Sequence, residues 1–168
     1  MPNAATHVIV AMVIAGIIRD FILKKRFSSI YILVAGIAGL IPDLDIVLYW
    51  MLNLVTSAPL AMVHRWFFHS LFVPLIFLMI AFAYNKLKNK KAMLVFLMLA
   101  LGTMVHLILD YMLAGYIRPF YPLSVAQYGL NLLPTGDMGR TITAGLDAIL
   151  LCLWLMWEYW QRNIREYI

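Results

Sequence analysis

Five long apolar stretches dominate this chain, roughly His7–Leu23, Phe27–Val47, Trp66–Asn85, Ala92–Gly115 and Ile142–Gln161. Each has about the 20 residues that a helix needs to cross some 30 Å of hydrocarbon. Lipid cannot satisfy exposed backbone groups, so helices are the expected spanning element. Only 12% of residues are charged, against about a quarter in a soluble domain. That is too little polar surface to coat a water-exposed globule. The expected fold is all-α: a polytopic integral membrane bundle of about five transmembrane helices, a single domain over residues 1–168.

The net charge of +5 is not a nucleic-acid face. Lys24, Lys25 and Arg26 form one cluster, and Lys86, Lys88, Lys90 and Lys91 another, both in short loops between apolar runs. Cytoplasmic loops of membrane proteins carry this bias. With Arg162 and Arg165 in the C-terminal tail, it predicts a cell-membrane protein with its N-terminus outside and its C-terminus cytoplasmic. No positive residue precedes the first apolar run, so that run reads as an anchor and not a signal peptide. Cys152, the one cysteine, reads as a small buried hydrophobe.

Two segments do not fit a simple span. Ile46–Val55 is too short to cross; it either extends the second helix past Pro42 or lies along the outer interface. The Tyr116–Thr141 loop, rich in proline and glycine, is long for a structureless connection and has the character of a lid or binding loop.

All four histidines fall toward the predicted outer helix ends, with Asp43, Asp45, Asp110, Asp137 and Asp147. At 1.5 Å rise per residue from the cytoplasmic boundaries, His7, Asp43 and His69 all lie at a height of roughly 24 Å. His106 and Asp147 lie at roughly 21 Å and Asp110 at roughly 27 Å. Five helices thus bring titratable groups to one level. His106 and Asp110 are i, i+4 and share a helix face, which suits two metal ligands or a simple hydrogen-bonded pair. Asp43 and Asp45 in IPDLD are two carboxylates close to lipid, expensive unless neutralised. His64 and His69 are i, i+5, and His69 is the better-placed ligand. The candidate metal ligands are His7, Asp43, Asp45, His69, His106 and Asp110. His and carboxylate donors with few thiols suit one or two divalent ions, zinc first, with manganese or magnesium also compatible.

All six lysines lie in predicted cytoplasmic loops, but Arg65, Arg118 and Arg140 lie on the outer side. Arginine is the better bidentate partner for phosphate, although lipid headgroup anchoring also accounts for such a pattern. Asp147, two turns inside the last helix, should face the bundle as a ligand, a partner behind a histidine, or a partner of Arg140. Trp50, Trp66, Tyr116, Phe120 and Tyr121 read as an interfacial belt.

Thr6-His7, GLIPDLD ending at Asp45, HRWFFHS from His64, HLILD from His106 to Asp110, and the following RPFYPLS together resemble the YdjM-like family. That family is described as LexA-regulated, membrane-bound, metal-dependent hydrolases. The chain departs from it at Trp66, where a small residue often follows the His-Arg pair. The order His, Asp, His, then HxxxD is also similar to the zinc-dependent phospholipase C and single-strand nuclease fold. That likeness implies His7, Asp43, one of His64 or His69, His106 and Asp110 as ligands, with Asp110 able to bridge. The later HxxxE that completes a third zinc there is missing, so two ions are implied and not three.

The function expected is a membrane-embedded metal-dependent hydrolase acting on a lipid-like phosphoester at the outer interface. Asp45 or His64 would orient the attacking water or take its proton. Arg65, with Arg118 or Arg140, would hold the phosphate. The alternative is a metal-binding membrane protein without hydrolysis, serving metal transport or homeostasis, or a His/Asp network that staples helices. A transport path is disfavoured because the inner helix halves offer little beyond Arg19 and Asp20.

Overall fold

The computed structural model describes residues 3–24, 27–55, 57, 65, 67–113, 115–134 and 136–160. Helix α1 is Ala4–Ile17, continued by a π-turn at Ile18–Ile22. Helix α2 is Ile30–Ala38 and α3 is Leu44–Asn53. A 3₁₀ turn, Phe67–His69, leads into α4, Phe72–Lys86. Helix α5 is Lys90–Met112 and α6 is Asp137–Trp160. The described residues contain no β-strand, only an isolated bridge between Ile117 and Tyr128. The all-helical membrane fold expected from composition is what the chain adopts.

Among the described residues, three helical stretches are long and apolar enough to cross a bilayer: Ala4–Ile22, Lys90–Met112 and Asp137–Trp160. The count of five expected from hydropathy is not confirmed among the described residues. The predicted second span, Phe27–Val47, breaks at Gly39–Asp43 into two short helices. Proline at position 42 has no N–H to continue the helical ladder, and Asp43 and Asp45 are turned into the bundle instead. The 15 residues of α4 cover only about 22 Å.

Helix α5 is the hub. It packs against α4, α2 and α1, and α1 in turn carries α2 and α6. The α4–α5 hairpin turns at the second lysine cluster, where the Asn89 side chain accepts the Ala92 N–H and caps α5. The core joins Met12, Ala15, Phe27, Ile32, Ala35 and Met98. Gly102 lets α5 press onto the end of α2, for a Cβ there would stand 2.2 Å from the Ala35 carbonyl oxygen. His106 sits one turn further along the same face of α5, so this contact delivers it to the α2–α3 corner.

Apolar side chains face outward from α4 and α6, among them Ile76, Met79, Phe82, Ile149, Leu153 and Met156. These are the surfaces for which lipid substitutes for a core. Cys152, expected to be buried, lies on this exposed face because α6 packs chiefly against α1 alone.

The 115–134 segment folds back over the end of α5. Leu130, Leu132 and Leu133 donate backbone N–H groups to Tyr111, Met112 and Leu113. Leu71, at the start of α4, donates to Pro119, tying the loop to the turn that carries His69.

Candidate metal centre

Four elements bring one buried polar cluster together: α1 supplies His7, the α2–α3 corner Asp43 and Asp45, the 3₁₀ turn His69, and α5 His106 and Asp110. His7, Asp45, His69, His106 and Asp110 are all buried. His106 is oriented by its other ring nitrogen. Its Nδ1 lies 2.7 Å from the Gly39 carbonyl oxygen. A carbonyl only accepts, so Nδ1 carries the proton and Nε2 presents a lone pair. His69 has its Nδ1 3.2 Å from Asp45 Oδ2, a charge contact that favours a proton on Nδ1. The two Nε2 atoms then face each other at 3.3 Å. Two lone pairs at that separation need a proton or a cation between them.

The surrounding distances suit a cation. His69 Nε2 lies 3.7 Å from Asp43 Oδ1 and 3.6 Å from Asp110 Oδ2. His106 Nε2 lies 3.8 Å from each of the same oxygens. An ion bound tetrahedrally by N and O donors at 2.0–2.2 Å separates them by about 3.3–3.6 Å. The two imidazoles therefore form a triangle of coordination size with either carboxylate. His7 adds a third imidazole, stacked on His106 with centroids 3.9 Å apart and Nε2 3.6 Å from Asp110 Oδ1. Both Asp110 oxygens, Asp43 Oδ1 and His7 Nδ1 are buried without a hydrogen-bond partner. Buried carboxylate oxygens are normally satisfied, so this donor set fits a divalent ion. The two groupings that could hold one are His7, Asp43 and His106, and His69, His106 and Asp110.

Asp43 and His69 lie outside the apolar helices. Burial penalises the ionised Asp43 carboxyl, but the His69, His106 and His7 imidazoles outweigh it and hold the group below its usual value. Burial also penalises protonated His69, and Asp43, Asp45 and Asp110 reverse that, pushing the imidazole above its usual range.

Arg65 closes one side. Its Nη2 lies 3.3 Å from Asp110 Oδ2, its guanidinium lies over the Tyr116 ring at 5.2 Å, and its backbone N–H donates to Asp45 Oδ2 at 2.8 Å. Gly115 leaves the room for this: a Cβ there would meet Arg65 Nη1 at 2.2 Å. Arg118 lies over the same Tyr116 ring at 5.7 Å.

The other residues singled out in the sequence take these places. Asp45, expected among the ligands and as a water-orienting group, has its Oδ2 against His69 Nδ1 and the Arg65 N–H, behind the Nε2 atoms. Asp147 accepts from Thr6 Oγ1 and from Asn3 Nδ2 at 2.9 Å, an α1–α6 tie one residue from His7. Arg140 stands in the first turn of α6. His64 and Trp66 lie outside the described residues. Tyr116, expected in an interfacial belt, is part of the Arg65 seat. Gly39 and Gly115 had no readable signal, because the first acts through its carbonyl and the second through having no side chain.

No curated protein and no solved structure matches this chain significantly. The family model described as YdjM inner membrane protein matches residues 1–165, and the chain belongs to that family.

Proposed function

We propose that this chain is a membrane-embedded, metal-dependent hydrolase acting on a phosphoester, with a lipid-like substrate at the outer membrane interface. The observation that carries the reading is the convergence of His69, His106, Asp43 and Asp110, in which Asp43 Oδ1 and both Asp110 oxygens are buried with no hydrogen-bond donor. These residues, with His7, would hold one or two divalent ions, zinc being the best match to imidazole and carboxylate donors. A divalent ion supplies Lewis-acid polarisation and lowers the pKa of bound water. The chain's own part is separate. Gly39 and Asp45 orient the imidazoles, Arg65 presents donors to a phosphate oxygen, and Tyr116 seats the Arg65 guanidinium. Low dielectric strengthens each of these contacts.

The test is incubation of metal-loaded protein with a panel of phosphoester lipids and nucleotides, followed by phosphate and headgroup analysis. Cleavage lost in Asp110→Asn supports the reading, and no cleavage of any phosphoester ends it. A second reading, metal binding that staples the bundle without hydrolysis, draws on the same geometry, since the cluster joins α1, the α2–α3 corner, the 3₁₀ turn and α5. A large loss of thermal stability on chelation, with no turnover, would favour it.

A further inference from the structure

We propose that Asp45 is a positioning residue that fixes two working parts of the centre at once: the ligand His69 and the anion-binding Arg65. This rests on the metal-centre reading above. One oxygen does both tasks. Asp45 Oδ2 lies 3.2 Å from His69 Nδ1 and accepts the Arg65 backbone N–H at 2.8 Å. The carboxylate is buried at 2% exposure, so water does not compete for it.

Each contact has a consequence. A carboxylate behind an imidazole fixes which nitrogen carries the proton and raises the basicity of the other. His69 Nε2 is thereby aimed at the point that His106 Nε2 also faces. Arg65 has φ +65, a backbone conformation uncommon for a non-glycine residue. The N–H held by Asp45 anchors that turn, and from it the guanidinium reaches Asp110 Oδ2 at 3.3 Å. Asp45 therefore sets the distance between the metal-facing nitrogen and the phosphate-facing cation without itself meeting the ion or the phosphate, and of the IPDLD pair it is Asp43 that has its oxygen on the Nε2 side.

The test compares Zn²⁺ titrations of the purified full-length protein in detergent. Asp45→Asn is expected to keep the wild-type stoichiometry and bind about 10–100-fold more weakly, while Asp43→Asn and Asp110→Asn lose the ion. Loss of stoichiometry in Asp45→Asn equal to that in Asp43→Asn would make Asp45 a ligand and overturn the proposal. Unchanged affinity would overturn it too. A second measurement needs no variant. In wild-type protein labelled with ¹⁵N-histidine, Zn²⁺ is expected to shift His69 Nε2 and leave Nδ1 protonated; a metal-shifted Nδ1 is the contrary result. Both readouts are of metal binding. A protein that binds as described and cleaves nothing upholds this assignment and overturns the hydrolase reading.

Discussion

Adding one methyl group at Gly102 is expected to disable the metal centre without altering any ligand. The new Cβ would lie 2.2 Å from the Ala35 carbonyl oxygen, 2.6 Å from Ala38 Cβ and 2.8 Å from the Gly39 nitrogen. Ordinary contact begins at 3.4 Å, so α2 and α5 must separate by about 1.2 Å, the difference of 3.4 and 2.2. Two of those three atoms are backbone, and no rotamer change relieves them. The same movement pulls the Gly39 carbonyl from His106 Nδ1, a bond of 2.7 Å. Metal sites tolerate ligand displacements of only about 0.2 Å, and losing the partner behind a ligand histidine costs about 10–100-fold in affinity. Gly102→Ala should therefore bind Zn²⁺ at least about tenfold more weakly. Overpacking should also lower stability by about 1–3 kcal/mol. Calorimetric titration and thermal unfolding of the purified variant measure both. Wild-type affinity in Gly102→Ala would refute the claim that the α2–α5 approach sets the site.

Gly115→Ala pushes a methyl onto Arg65 Nη1 and requires alanine at φ +120. It should leave Zn²⁺ stoichiometry intact and lower phosphoester turnover by about 100-fold, read as kcat/KM beside a metal titration. Metal affinity should fall with pH. Protonated His69 cannot be a ligand, so affinity is full above its raised pKa and is lost as pH drops through it. Titrations at several pH values check this, and a flat profile would contradict it. Asp147→Ala removes the acceptor for Thr6 and Asn3. It should lower stability by about 1–3 kcal/mol in thermal unfolding while metal content stays at the wild-type level.

The fold was legible as far as hydropathy reaches. Long apolar runs and lysine-rich turns locate α1, α5 and α6 because lipid enforces that pattern along a whole helix. Hydropathy could not see the break at Gly39–Asp43, since apolar residues on both sides continue the run. The backbone turn there depends on Pro42 and on carboxylates finding imidazoles across the bundle. At the site, helix rise alone put His7, Asp43, His69, His106 and Asp110 at one height, and the structure places these five in contact. Height says nothing of which oxygen meets which nitrogen. That is why Asp43 and Asp45, two residues apart, read alike in sequence and take opposite sides of His69 in the structure. Gly39, Gly102 and Gly115 matter through a carbonyl or a missing side chain, which no residue-type pattern reports.

Whether these His and Asp side chains form a metal centre is decided by metal analysis of the purified protein beside His106→Ala and Asp110→Asn. At least one bound divalent ion per wild-type chain is expected, with N and O neighbours at about 2.0–2.2 Å by X-ray absorption. Both variants should lose the ion while remaining folded. A folded wild-type protein with no bound ion and no affinity for one, or variants that retain the ion, would contradict it.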